Sequence, residues 1–237
     1  MTDYFIELDT ALFLWLNSSH SPFWDVFMKM ASGKLIWIGM YAAILYAIWR
    51  AYGWRTLVVM SVACALTVTL ADQITASFLR PIFERLRPAN PENPISELVH
   101  IVDGYRGGRY GFPSCHAANT FAIATLLGFT FNRWRFTLAI LSWAVLNCYS
   151  RVYLGVHYPG DLLAGLIIGC MCGAFIYLLA TATMKIWRGC KGPGRVDRLY
   201  HGYIAGRRFS YRAIDLPILV EVLTIAAMFA CATAIFF

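Results

Sequence analysis

Six mostly apolar stretches run through this chain, at approximately 33–50, 55–79, 116–132, 135–153, 161–184 and 217–237. A helix needs about 20 such residues to cross the hydrocarbon of a bilayer, and the third and fourth stretches are short. A water-soluble fold of 237 residues could not hide them. Hydrophobic residues fill 59% of positions and charged residues 14%, against about 45–50% and about 25% in average globular chains. Aromatic residues alone make up 16%, which excludes a disordered chain. The expectation is an all-α, polytopic membrane helical bundle of about six transmembrane helices.

The first thirty residues are different. Phe5 to Leu16 is apolar but short, carries Glu7 and Asp9, and is broken by the run from Asn17 to Pro22. It reads as an amphipathic segment lying in the membrane interface. The acidic start, with Asp3, Glu7, Asp9 and no basic residue before position 10, does not read as a signal peptide. The chain thus divides into an interfacial segment (1–32), a core (33–184), a basic loop (185–216) and a last transmembrane helix (217–237). Seven cysteines, most of them in apolar runs, offer neither a disulfide framework nor paired zinc ligands.

Charge orients the bundle. The net charge is +7, and residues 185–212 carry eight of the basic residues against Asp197 alone. Such a segment between two apolar stretches reads as a cytoplasmic loop obeying the positive-inside rule, not as a nucleic-acid surface. Alternation of sides places Arg50, Arg55, Arg133 and Arg135 with that loop, twelve of the twenty basic residues in all. The 80–115 loop and the 151–160 turn then face outward together. Orientation preference would strip arginine from that face, so its six arginines need another reason to be there.

Three outward segments carry the chemistry: Arg80 to Pro88, Pro113 to His116, and Ser150 to Asp161. Arg80, Arg87 and Arg151 present planar N–H forks that match phosphate oxygens. Ser114 and the following backbone N–H groups open a helix, where an anion is favoured. His157 and Asp161 are four apart, so the carboxylate can accept from one ring nitrogen and leave the other as a nucleophile. His116 is suited to protonating a leaving oxygen. Two histidines with these roles suit phosphoryl transfer through a phosphohistidine. Arg106 and Arg109 are candidates for headgroup contacts, whereas His100 reads as a solvated loop residue. Asp72, Gln73 and Glu221 lie inside apolar stretches and need hydrogen-bond partners on neighbouring helices.

These residues resemble the type 2 phosphatidic acid phosphatase family, whose signature is K-x6-R-P, then P-S-G-H, then S-R-x5-H-x3-D. Here the order is R-x6-R-P (Arg80, Arg87, Pro88), P-S-C-H (Pro113 to His116) and S-R-x5-H-x3-D (Ser150, Arg151, His157, Asp161). Arg80 and Cys115 depart from the pattern. The resemblance implies that His157 attacks phosphorus, Asp161 orients it and His116 protonates the leaving group. It also implies that Arg80, Arg87, Ser114, the Cys115 backbone and Arg151 hold the phosphoryl oxygens. It calls for no metal and no cofactor. The substrate would be a lipid phosphomonoester or diphosphate drawn from the bilayer, with no nucleic acid involved. The enzyme would sit as a multi-pass protein in the bacterial inner membrane with its site facing the periplasm. The long polar 88–112 loop leans toward lipid A. Undecaprenyl diphosphate hydrolysis is the alternative, as is phosphate transfer between lipids on the same scaffold. An anion channel would put polar residues along several helices, and the third to fifth stretches lack them.

Overall fold

A computed structural model describes residues 2–187, 199–204 and 207–236. The element order is α1 (Thr2–Ser18), α2 (Pro22–Ala31), α3 (Ile38–Tyr52, entered through a 3-10 turn at Leu35–Trp37), α4 (Trp54–Asp72), α5 (Arg80–Phe83), α6 (Cys115–Phe131), α7 (Trp134–Tyr153), α8 (Pro159–Ile186) and α9 (Asp215–Phe236). Local chemistry sets the ends. Ser21 accepts from the N–H of Trp24 and Pro22 opens α2. Gly53, at φ 92°, turns α3 into α4, and Asn132, at φ 49°, ends α6.

Six helices occupy the six apolar stretches, but they are not equivalent. Among the described residues, four segments are long and apolar enough to cross a membrane: Leu35–Tyr52, Trp54–Phe83, Pro159–Ile186 and Asp215–Ile235. Helix α6 is apolar but only 17 residues long, about 25 Å at 1.5 Å per residue. Helix α7 has the length but carries Arg135, Ser142, Asn147, Ser150 and Arg151. Helix α6 is largely buried in the bundle, and α7 packs one face against it while Trp134, Leu138 and Val145 point outward. The basic region also differs from a plain loop. An antiparallel hairpin pairs β1 (Leu199–Ile204) with β2 (Arg207–Arg212), with Leu199 opposite Arg212. Residues 188–198 of that region lie outside the described residues.

The spine of the bundle is the contact between α6 and α8. Gly165, Gly169 and Gly173 recur every fourth residue along one line of α8 and press on the backbone of α6. A Cβ at these positions would stand 2.4 Å from Ser114 O, 2.3 Å from Ala118 O and 2.4 Å from Ala122 O, respectively. Small residues at this spacing let membrane helices meet backbone to backbone. Two intramembrane carboxylates find partners across other contacts. Asn119 Nδ2 on α6 lies 3.5 Å from Asp72 on α4, and Ser142 on α7 donates to Glu221 on α9 at 2.9 Å.

Helix α4 continues through a π-helical turn at Gln73–Leu79 into α5. The widened turn shifts the register just before Arg80. At the opposite end of the bundle, Tyr52 donates to Thr130 O at 3.2 Å and Trp54 meets Trp187 edge-on. The junctions holding Arg50, Arg55, Arg133 and Arg135 therefore gather there. Arg50, Arg55 and Arg135 stack against Trp49, Trp54 and Trp134, and these exposed indoles form an aromatic belt of the kind that marks a membrane–water interface.

Replacing Gly169 with Leu forces α6 and α8 apart. Overpacking of this kind costs about 1–3 kcal/mol or more. The expected outcome is a clear fall in the thermal unfolding midpoint in detergent, larger than for leucine at the neighbouring Cys170, which is only partly buried.

Candidate active site

The α6–α8 spine brings two of the motif segments to one end of the bundle. Ser114 caps α6, and its N–H donates to Asp161 O in the first turn of α8 at 3.0 Å. The third segment arrives through the loop after α5. That loop is tied down by Gly111 N to Arg85 O at 2.8 Å, Arg87 N to Arg109 O at 3.1 Å and Ala89 N to Gly155 O at 3.0 Å. Gly155 has φ +74°, and a Cβ there would meet Val99 Cγ1 at 2.6 Å, so only glycine permits this crossing.

His157 and Asp161 form a buried pair with Nδ1 3.3 Å from Oδ2. Asp161 Oδ2 also accepts from Tyr158 N at 3.0 Å, and Oδ1 accepts from Arg85 Nη1 at 2.9 Å. With Nδ1–H turned to this carboxylate, Nε2 keeps its lone pair. Burial, reinforced by the charges of Arg87, Arg151 and Arg80, holds His157 well below the usual histidine value, so the ring is neutral at pH 7.

The three expected arginines line the same cavity as both histidines. Its volume is about 810 Å³, and Arg80, Arg87, Arg151, Cys115, His116 and His157 share its wall with the apolar Ile44, Leu45, Val68, Ile123 and Leu127. Arg87 is buried, with Nε donating to Tyr110 O at 3.1 Å. Burial and the neighbouring Arg151 and Arg80 pull it down to about 10, still cationic at neutral pH. Arg151 donates to Ser32 Oγ and, at 3.2 Å, to Tyr105 Oη. The Nε atoms of Arg80 and Arg151 are buried without an acceptor. Buried donors of charged groups are rarely left this way, and an anion in the cavity would supply what they lack.

The two departures from the family pattern touch each other. Arg80 Nη2 donates to Cys115 Sγ at 2.8 Å and to Pro113 O at 3.2 Å. Thr75 Oγ1 donates to the same sulfur at 3.2 Å. Cys115 is the first residue of α6, and it is not among the residues with positive φ. A side chain there therefore adds no backbone strain, and the residue keeps its backbone N–H.

Other expectations fall elsewhere. Arg106 donates to Ala89 O at 2.6 Å and Arg109 pairs with Glu92 at 2.8 Å on the exposed side of the loop. Neither lines the cavity. His100 is also outside it, 2.8 Å from Asp25 and stacked on His20. The sequence reading missed Lys34, Tyr105 and Asn119, which line the cavity, and Arg85, which grips Asp161. Arg85 could have been suspected, because a buried carboxylate needs a counter-cation and Arg85 stands two residues before Arg87.

Comparison with known proteins agrees with this geometry. The profile of the PAP2 superfamily matches residues 61–185. A lipid A 4'-phosphatase of Bacteroides thetaiotaomicron is 52% identical over 196 residues, covering 82% of this chain and 87% of the relative. A lipid A 4'-phosphatase of Porphyromonas gingivalis is 33% identical over 200 residues, covering 84% of each chain. Among solved structures, Aquifex aeolicus LpxE superposes with a TM-score of 0.54 at 26% identity, over 71% of this chain and 94% of that one.

Burying a neutral His157 ties stability to pH. The unfolded chain binds this proton near pH 6.5 and the folded chain only well below it. Stability contributed by this site is therefore present above pH 6.5 and lost as pH falls, at up to about 1.4 kcal/mol per pH unit. Unfolding midpoints from pH 7 to 5 should fall more steeply for the native chain than for His157→Asn. Parallel curves would contradict a buried neutral ring.

Proposed function

Because this chain belongs to the PAP2 superfamily, we propose that it is a membrane-embedded phosphatase that removes a phosphate from lipid A through a phosphohistidine. Several apolar helices make it a multi-pass membrane protein. The observation that carries the reading is the cavity itself. Arginine and histidine side chains cluster in part of its lining, and hydrocarbon-like residues from α3, α4 and α6 make up much of the rest. A phosphate fits the first and a lipid chain the second. The relatives named as lipid A 4'-phosphatases support the 4'-phosphate as the group removed.

The positions of the side chains support the following mechanism. Arg80, Arg87 and Arg151, with the Cys115 N–H at the start of α6, hold the non-bridging oxygens and neutralise charge that builds in the transition state; Ser114, fully buried and off the cavity wall, caps α6 behind them. His157 Nε2 attacks phosphorus, and the bond from phosphorus to the sugar oxygen breaks. Asp161 orients the ring and stabilises the charge it gains. His116 gives its proton to the leaving oxygen, and the negative charge of bound phosphate keeps that proton on the ring until transfer. Water then attacks the phosphohistidine, returns a proton to His116 and releases inorganic phosphate. The reading puts the site on the periplasmic side of the bacterial inner membrane. The basic and aromatic residues gathered at the opposite end support that orientation.

The test uses the purified full chain in detergent with lipid A phosphorylated at both ends. Mass spectrometry should show loss of a single phosphate, from the 4' position, with free phosphate released. His157→Ala should reduce release to background while keeping the native unfolding midpoint. Substantial turnover by that variant would overturn the assigned nucleophile. His116→Ala should cost roughly 10²–10⁴-fold on a sugar phosphate, and far less when the leaving group is itself a phosphate.

A further inference from the structure

Two carboxylates from distant parts of the chain share one guanidinium. Arg85 Nη1 lies 2.9 Å from Asp161 Oδ1, and Nη2 lies 2.8 Å from Asp9 Oδ2 on α1. The plane of the fork is stacked on Tyr158, 3.9 Å from the ring centroid. Asp9 Oδ1 also accepts from Gly160 N at 2.7 Å, so α1 grips the first turn of α8 directly. Phe13 seals the contact edge-on to Tyr158, with ring centroids 5.3 Å apart. Arg85 does not line the cavity, so it meets no substrate there.

We propose that Arg85 is a positioning residue for Asp161, and that Asp9 on the N-terminal helix holds Arg85 in place. The inference rests on His157 being the nucleophile. Asp161 is fully buried, and a carboxylate in that setting stays ionised only with a close cation. Arg85 supplies it on Oδ1. Tyr158 N occupies Oδ2 from one side, which leaves the remaining lone pair of Oδ2 for His157 Nδ1. The fork gives a single N–H to each carboxylate. Either one alone would let the guanidinium rotate and close bidentately on it; the two together lock its plane. Asp9, 148 positions before His157 in the sequence, thereby sets the tilt of the attacking ring. The N-terminal helix, apolar on its outer face at Tyr4, Phe5, Leu8, Leu12 and Trp15, is part of the catalytic apparatus through its inner face.

The experiment is a double-mutant cycle on the purified full chain, read as kcat, KM and the pH profile of phosphate release from lipid A. Arg85→Gln should lower kcat about 10²-fold, as expected for a misplaced reacting group, with KM little changed. The acidic limb of its kcat profile should move up by about one pH unit, because the cation that favours the carboxylate is gone. Arg85→Lys keeps the charge but not the fork, so it should restore the limb and only part of kcat. Asp9→Asn should give a smaller loss, and Asp9→Asn with Arg85→Gln should be no worse than Arg85→Gln alone. If Arg85→Gln does not fold, Asp9→Asn and Arg85→Lys carry the same readouts. Native kcat in Arg85→Gln, a loss with an unmoved limb, or losses that multiply in the double variant would each overturn the proposal. Failure of the nucleophile assignment looks different: His157→Ala would then turn over.

Discussion

The site depends on how closely α6 can approach α8. With glycine at every fourth position of the contact line, no side chain separates the two backbones, and Ser114 N reaches Asp161 O. Two helix N-termini therefore open at one spot, each bringing its positive dipole end. His116 leaves from one terminus and His157 from just before the other, and both rings enter the same cavity. A wider helix contact would leave the same residues in the chain and no shared chamber for them.

The gathered charges work against folding and for function. Burial first, and then repulsion from Arg151 and Arg80, pulls Arg87 below its ordinary value, and a neutral imidazole is held among the three guanidiniums. Asp161 and Asp9 offset part of this from behind the cavity wall, through Arg85 and His157. What remains is an excess of positive charge lining the cavity, an arrangement most stable around a multiply charged anion. The thiol of Cys115 fits into this economy as a soft acceptor for Arg80, steering the fork without adding a formal charge.

Much of this was legible in the sequence. A helix occupies each of the six apolar stretches, four of the described segments being long and apolar enough to cross a membrane, and three motifs named Arg80, Arg87 and Arg151 of the cavity wall, because both signals are local. What escaped is non-local or interior. Helices α6 and α7 read as ordinary crossings, yet they are respectively too short and too polar to be judged by lipid contact alone. The π-helical turn at Gln73–Leu79 has no periodic signature, although Asp72, Gln73, Thr75 and Ser77 punctuate that stretch. The Gly165, Gly169, Gly173 series was visible but is compositionally common in membrane helices. Arg106 and Arg109 looked like ligands because their partners, the Ala89 carbonyl and Glu92, cannot be paired with them by spacing. Asp9 looked like an interfacial charge, since nothing periodic connects it to Arg85.

The divided lining of the cavity also dictates how its contents depart. Once the bond to phosphorus is cut, one product is a small ion that belongs in water, and the other is an amphiphile stripped of the group that moored it to arginine. They leave into different phases, one outward and one sideways into the leaflet. The ion still matches the cationic end of the cavity, whereas the lipid keeps only its apolar contacts, so back-pressure on the arginine end comes from the aqueous compartment.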